Sequence, residues 1–344
     1  MTTKIEEYFG SSRLNQGTLK QLYNPKWINL IREDKEQVYF RVGSAIDTIL
    51  TEGMVEFNKQ FAVLSTKRPI GKMGIFIDSL PLDLNEESNI EEYRVAYELA
   101  EYKGKLETII KKLWGEERYK GYYIARKQSN AKQILTVDEY EQVLHCYENL
   151  INNPWTRKYF INTDPDVEII YQVPIYFVYE YVDDNISYEL NTVECKALLD
   201  GVYINHLDKT IRFFDLKTTG MSITGFKYNF LKFGYHIQAA FYQSALEYAI
   251  SNDSRFEQFK DYQLLYPQFI VTEKLPHQSN PARIFELTSN DLMSGWYGGL
   301  VNRKYYEGVK ELIGKYLWHK ETNQWDYPKE LYDSNGIIQL NIFD

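Results

Sequence analysis

The spacing of hydrophobic and polar residues divides the chain into predicted helices and strands. Residues 166–217 have the alternation of β-strands, with a break at 181–185. Val193 to Asn205 and Thr210 to Lys217 form a predicted hairpin joined by a polar connection. Residues 1–60, 85–153 and 233–250 have helical patterns, so we expect an α/β fold with a mixed central β-sheet flanked by helices.

Several local signals refine this layout. Thr136 and Glu139 form a predicted capping box that opens a helix ending near Leu150. Tyr262 to Thr272 is predicted as a strand, and Pro267 favours an edge position for it. Residues 289–320 are predicted as one long amphipathic helix. We expect a single domain over 1–330, with a helical part (1–160), a core (161–275), a C-terminal helical part (285–330), and then a tail (331–344).

The predicted hairpin carries the most informative chemistry. Asp200 lies on one strand, and Asp215 and Lys217, two residues apart on the next, point to the same face. Hard cations such as Mg²⁺ take carboxylate oxygens as ligands, with water or substrate completing the site. Asp200, Asp215 and the backbone carbonyl of Leu216 are therefore candidate ligands of Mg²⁺ or Mn²⁺. Lys217 would hold or deprotonate an attacking water and stabilise transition-state charge.

Two polar residues on the following helix complete the pattern. Gln238 and Tyr242 are four residues apart, so they share one helix face. An Asp-x-Lys tripeptide is usually a solvated strand face, and a Gln-x-x-x-Tyr pair is equally unspecific. Their occurrence in order, on a hairpin and then a helix, predicts a metal-dependent phosphodiesterase.

These motifs resemble the PD-(D/E)XK nuclease superfamily, which implies a restriction-endonuclease-like core. The segments Asp215-Leu216-Lys217-Thr218-Thr219 and Tyr235-His236-Ile237-Gln238 to Tyr242 look most like RecE-type phage exonucleases. They look more distantly like the RecB nuclease domain and lambda exonuclease. Leu199 stands where the family often has proline. The resemblance implies catalytic roles for Asp200, Asp215, Lys217, Gln238 and Tyr242.

The resemblance also covers the N-terminal part. Phe40 to Asp47 resembles a family segment that usually ends in a metal-ligating histidine, so Asp47 is a further candidate ligand. The alternative is an acid favoured near a helix start by the dipole. Glu168 and Glu194 are candidates for the acid that often precedes the first aspartate, although a surface strand carries acids without such a role.

Net charge of −9 does not exclude a DNA-binding enzyme, because a local basic groove suffices. Residues 103–132 are rich in lysine and arginine with interleaved tyrosines, which suits a DNA backbone, although a solvated helix face would look the same. The candidate DNA-binding residues are Lys111, Lys112, Arg118, Lys120, Arg126 and Lys127.

Other patterns narrow the class of protein. Cys146 and Cys195 are the two cysteines, which suits a reducing cytoplasm and is too few for the four-cysteine iron–sulfur cluster of some related nucleases. No phosphate-binding loop indicates a fused motor. The start has no signal-peptide pattern and no apolar run has membrane-spanning length. We expect a protein of the bacterial cytoplasm.

The last residues resemble a sliding-clamp-binding peptide. Its candidate contacts are Gln339, Leu340, Ile342 and Phe343, and the alternative is a short terminal strand packed on the domain.

The resemblance as a whole implies an exonuclease that resects duplex DNA ends 5′ to 3′ for phage-type recombination. It also implies a single-strand annealing protein as partner, and enzymes of this type form rings. The alternatives are a structure-specific or restriction-type endonuclease on the same core, and a non-enzymatic DNA- or clamp-binding accessory protein.

Overall fold

The computed structural model describes residues 2–23, 38–64, 66–129, 132–182, 190–275 and 280–337. The chain divides into two compact units. The sheet unit comprises residues 1–36, 149–273 and 279–344, and the helical unit comprises residues 37–148 and 274–278. The single domain over 1–330 and its three parts stay a prediction.

The helices and strands of the described residues are numbered in chain order. The helices are α1 Thr2–Gly10, α2 Gln16–Tyr23, α3 Val38–Thr51, α4 Gly53–Gln60, α5 Gly71–Asp78, α6 Arg94–Leu99, α7 Leu106–Gly115, α8 Glu117–Gln128, α9 Val137–Ile151, α10 Phe226–Lys232, α11 Tyr235–Asn252, α12 Ser289–Tyr297, α13 Val309–Thr322 and α14 Lys329–Asp333. The strands are β1 Phe61–Leu64, β2 Gln133–Thr136, β3 Val167–Val182, β4 Leu190–Asn205, β5 Thr210–Thr219, β6 Gln263–Leu264, β7 Gln268–Glu273, β8 Arg283–Glu286, β9 Gly299–Val301 and β10 Lys304–Tyr306.

The sheet unit is built on a mixed sheet with strand order β3-β4-β5-β7-β8, and β6 pairs with β5. Strands β5 and β7 are parallel, whereas β3–β4, β4–β5 and β7–β8 are antiparallel. The predicted mixed α/β fold is therefore confirmed. The β4–β5 hairpin has the predicted place in the chain and turns at residues 206–209.

Helix α11 covers one face of this sheet. It is apolar around most of its circumference, and residues from Ile237 to Ile250 are buried along its length. A helix with this composition is stable only when enclosed on several sides. Phe213 of β5, Phe177 of β3 and Phe241 of α11 belong to the same apolar core, to which α2 contributes Leu19 and Leu22. The core thus joins α2, α11 and the sheet.

Strands β3 and β4 change their core-facing side at the same level. On β4 the core residues are Val193, Cys195, Ala197 and Leu199, and beyond Asp200 they are Val202 and Ile204. On β3 the change lies at Gln172, whose φ of 49° is in the left-handed region. This region is unusual for a residue other than glycine and turns the strand locally. Asp200 therefore lies at a bend that simple two-residue alternation does not predict.

Two predicted elements are wrong in their extent. Residues 262–272 form β6 and β7 with Pro267 between them, and β7 lies between β5 and β8 instead of at the edge. Since Pro267 precedes the strand, its missing N–H does not interrupt the ladder. The predicted helix 289–320 is α12, the β9–β10 hairpin and α13. Gly298, with φ of 82°, ends α12.

The predicted capping box at the start of α9 is confirmed. The Glu139 N–H donates to Thr136 Oγ1 at 3.1 Å, and the Thr136 N–H donates to Glu139 Oε2 at 2.8 Å. Over the ranges that the structure describes, no helix has the length and apolar composition needed to cross a membrane.

Candidate active site

Asp200 lies where β4 and β5 separate. Their pairing runs to Gly201 opposite Phe214, and beyond it Asp200 Oδ2 accepts the backbone N–H of Leu216 at 2.8 Å. A Cβ on Gly201 would lie 2.1 Å from the Phe214 ring, so only glycine fits against that ring. The Asp200 carboxylate thus accepts a backbone N–H of β5, as a carbonyl of β4 would in a continuous ladder. It is held beside Leu216, which lies between Asp215 and Lys217.

Asp215 and Lys217 form an ion pair on the face of β5 that α11 covers. The Asp215 side chain is 1% exposed and the Lys217 side chain is 18% exposed. Burial lowers the pKa of Lys217, but the nearby Asp215 and Asp200 carboxylates outweigh it, so the pKa is raised. Lys217 is therefore a cation beside two carboxylates, as the sequence predicts.

Gln238 connects α11 to this pair. Its Nε2 donates to Asp215 Oδ1 at 2.6 Å, and its side chain is buried. Tyr242, one turn later, packs in the core with its ring 5.9 Å from that of Phe213. Burial raises the pKa of Tyr242 well above its usual value, and the charges of Asp215 and Asp200 raise it further. The hydroxyl of Tyr242 is therefore neutral.

Lys20 of α2 is a site residue that the sequence did not reveal. Its Nζ donates to Gln238 Oε1 at 2.8 Å and lies 4.8 Å from the centre of the Tyr235 ring. Burial, followed by the charge of Lys217, lowers the pKa of Lys20 to about 7. No motif spacing connects residues 20 and 238, so this contact becomes visible only once α2 is packed on α11.

The position of α2 is fixed from two sides. Tyr23 donates its hydroxyl to the carbonyl of Leu231 at 2.9 Å. Gly234, the residue before α11, has φ of 63°, and a Cβ there would lie 3.2 Å from Lys20 Cγ. Glycine therefore serves both the left-handed turn and the close approach of Lys20.

The donor set fits a hard cation with few protein ligands. Asp215 Oδ2 faces Lys217 but accepts no hydrogen bond of normal geometry, although it is buried. In the described parts of the chain, no group of three or more His, Cys, Asp or Glu side chains is placed to hold a metal. Two carboxylates with water and phosphate oxygens suit Mg²⁺ or Mn²⁺, whereas they would not make a zinc site. Leu216 contributes its N–H, and metal binding by its carbonyl stays a prediction.

The other candidate acids are placed differently. Glu168 lies opposite Ile204 and pairs with His206 at 3.2 Å, roughly 13 Å along β4 from Asp200. Glu194 is exposed, with Arg13 at 3.6 Å, and lies on β4 six residues before Asp200, toward the opposite end of the strand from Ile204. Neither acid reaches Asp200, so the idea of an upstream ligand at these positions is wrong. Asp47 lies on α3 in the helical unit, and its metal-binding role stays a prediction.

The basic segment forms α7 and α8 of the helical unit. Tyr122 and Tyr123 are buried in its core, so they cannot stack on bases as the interleaving suggested. Arg126 donates to the carbonyls of Leu80 and Asp78 at 2.8 and 2.7 Å, which is a structural role. Lys111, Lys112, Arg118 and Lys127 are exposed, and Lys120 and Arg126 are half-buried, so DNA binding by these six residues stays a prediction.

The C-terminal peptide lies outside the described residues. Clamp binding therefore stays a prediction for Gln339, Leu340, Ile342 and Phe343.

Comparison with known proteins adds little to this geometry. No family model matches the chain, and no curated protein matches it. A crystal structure from Eubacterium rectale, described as "Putative exonuclease", aligns over 96% of this chain and 90% of its own, with 15% identity and a TM-score of 0.44. This identity and this score are too low to assign a fold or an activity to the chain.

Proposed function

We propose that the protein is a metal-dependent deoxyribonuclease that hydrolyses phosphodiester bonds with Mg²⁺ or Mn²⁺. The observation that carries the proposal is the joining of Asp200, Asp215 and Lys217 at one point of the sheet, through the Leu216 N–H and the Asp215–Lys217 ion pair. Two carboxylates beside one lysine leave oxygens that a divalent cation can bind, and clustered titratable groups of this kind are candidates for a functional site.

Each side chain has a role in this proposal. Asp200 and Asp215 would hold the cation, which when bound would neutralise phosphate charge and activate water. Lys217 would orient the attacking water or stabilise the charge that develops on the phosphate. Gln238 keeps Asp215 Oδ1 occupied, so that Oδ2 is the oxygen presented to the cation. Tyr242 would act from the core side of this site, where its ring packs against Phe213 and its hydroxyl is near the Asp215 and Asp200 charges.

Within this class we propose an exonuclease that resects duplex DNA ends, 5′ to 3′, in phage-type recombination. The support is the motif similarity to RecE-type enzymes, including Asp215 to Thr219 and Tyr235 to Tyr242. The same similarity supports a single-strand annealing partner, homo-oligomers and action in the cytoplasm of a bacterial host.

A nuclease assay on two substrates tests the activity and its class together. With Mg²⁺, 5′-labelled linear duplex should be degraded and closed circular DNA should stay intact, and EDTA should stop the reaction. Nicking of the closed circular DNA would contradict the exonuclease proposal and favour the endonuclease alternative. Absence of cleavage of both substrates, with Mg²⁺ and with Mn²⁺, would contradict the nuclease proposal.

Clamp binding is a separate proposal, supported only by the similarity of the final residues to a clamp-binding peptide. Removal of the last six residues should abolish binding to a bacterial sliding clamp in a pull-down with purified proteins. Equal binding by the full and shortened chains, or none by either, would end the idea.

A further inference from the structure

The segment between β5 and α11 has a local positive charge. From Gly220 to Gly234 it contains two lysines, Lys227 and Lys232, and no aspartate or glutamate, although the whole chain has a net charge of −9. The segment contains a 3₁₀ turn at Ile223–Gly225 and helix α10. We call it the α10 rim. A local positive charge can attract an anionic ligand although the whole chain is acidic.

Large apolar side chains of the α10 rim face solvent. Tyr228 is 75% exposed, Met221 47% and Phe233 41%. Lys227 Nζ lies 5.0 Å from the centre of the Tyr228 ring, and Lys232 Nζ lies 5.7 Å from that of Phe233. Each exposed ring therefore has an ammonium beside it.

Other side chains of the α10 rim attach it to the core. Phe226 and Ile223 are buried and belong to the core that joins the rim to β7 and α11, and Phe230 packs against that core. These inward residues hold the rim in place. Aromatic rings that stay exposed beside such a core are candidates for a binding surface.

The α10 rim continues into the candidate active site. The Phe233 ring centre is 5.8 Å from that of Tyr235. Tyr235 in turn has Lys217 Nζ at 5.2 Å and Lys20 Nζ at 4.8 Å from its ring centre. A single aromatic ring thus separates an exposed stacking surface from the lysine paired with Asp215.

We propose that the α10 rim binds unpaired nucleotides of the DNA strand being cut, with bases stacked on Phe233 and Tyr228 and phosphates beside Lys227 and Lys232. This inference rests on the proposed deoxyribonuclease function and specifies its substrate as a strand that is single-stranded next to the cleavage point. Stacking on aromatic rings together with lysine–phosphate contact is the usual way to hold single strands without reading sequence. An apolar protein partner would not require an ammonium at each ring, whereas a nucleic-acid strand uses both groups.

The test measures binding separately from cleavage. Fluorescence anisotropy in EDTA would be recorded for a labelled single-stranded oligonucleotide and for a blunt duplex of the same sequence. Phe233→Ala and Tyr228→Ala should each weaken single-strand binding by about fivefold or more. Phe233→Trp should keep wild-type affinity, because it retains a stacking surface. The matched control is Tyr266→Ala, which removes a ring that is 46% exposed in the link before β7.

Three results would overturn the proposal: wild-type protein that does not bind the single strand, alanine variants that bind it as tightly as wild type, and variants that change oligomeric state instead of DNA affinity. The measurement on blunt duplex gives a fourth such result. If the alanine variants lost as much affinity for blunt duplex as for the single strand, the rim would be a general DNA contact. Failure of the nuclease proposal is distinguishable, since it appears as absent cleavage with Mg²⁺ while single-strand binding in EDTA stays intact.

Discussion

Lys20, Gln238 and Asp215 form a directional hydrogen-bond chain. Lys20 Nζ donates to the Gln238 oxygen, and the Gln238 amide nitrogen donates to Asp215. A carboxylate can only accept, so Asp215 selects the amide nitrogen, while Lys20 holds the Gln238 oxygen on the other side. A free glutamine could rotate its amide and present an oxygen to the carboxylate, which would repel it. Lys20 is therefore a positioning residue that acts through Gln238 on Asp215.

This role predicts non-additive effects of substitution. Lys20→Met should lower kcat/KM by about 10- to 100-fold, the range for losing a hydrogen bond to a charged group, while Lys20→Arg should recover part of the rate. In a Gln238→Ala background, Lys20→Met should lower kcat/KM by less than about threefold. Steady-state kinetics on labelled duplex measures the cycle, and fully additive losses would contradict an action through Gln238.

At the scale of elements, Glu273 at the end of β7 holds the loop that follows β5. Its carboxylate accepts the N–H of Ile223, and the N–H and side-chain amide of Asn280 at 2.9 and 2.8 Å. Burial raises the pKa of Glu273, but these donors outweigh it and the net pKa is lowered. The charged carboxylate thus anchors the 3₁₀ turn on which the α10 rim begins.

A lowered folded-state pKa means that the folded protein is stabilised above the pKa of the unfolded chain, about 4.3, and loses this contribution as pH falls. Glu273→Gln should cost about 1–3 kcal/mol of unfolding free energy at pH 7. The gap between variant and wild type should narrow below about pH 4. Denaturant titrations at pH 7 and at about pH 3 measure this gap, and a gap that grows in acid would contradict the assignment.

The sequence predicts elements where one local signal dominates. The β4–β5 hairpin is recovered because its alternation and polar turn agree, and α9 is recovered from its capping box. It does not predict the bend at Gln172 and Asp200, because backbone strain leaves no compositional trace. The helix predicted over 289–320 extends across Gly298 because apolar spacing continues on both sides of the β9–β10 hairpin.

The same limit applies to the candidate site. Asp200, Asp215, Lys217 and Gln238 are close in sequence and are recovered by their spacing. Lys20 is missed because its contact depends on how α2 packs against α11. The basic helices also show the limit, since Tyr122 and Tyr123 have the spacing of a stacking surface but fill a core.

At the scale of the whole molecule, the net charge of −9 requires DNA affinity to come from local patches. If α7 and α8 contact the backbone, Lys111→Ala with Lys127→Ala should lower the slope of log affinity against log salt by about two. The charge-matched control is Lys209→Ala with Lys260→Ala, two lysines of the sheet unit that pair with Asp261 and Glu257. An equal change in both double variants would show a general charge effect and no DNA site on these helices.

The central claim is that Asp215 serves catalysis instead of only balancing the charge of Lys217. The direct measurement is the cleavage rate of 5′-labelled linear duplex with Mg²⁺ by wild type, by Asp215→Asn and by Asp208→Asn, an isosteric control at the exposed hairpin turn. Asp215→Asn should cut at least about a hundredfold more slowly while it binds DNA within about threefold of wild type, and Asp208→Asn should match wild type. Cleavage by Asp215→Asn at the wild-type rate would contradict the account.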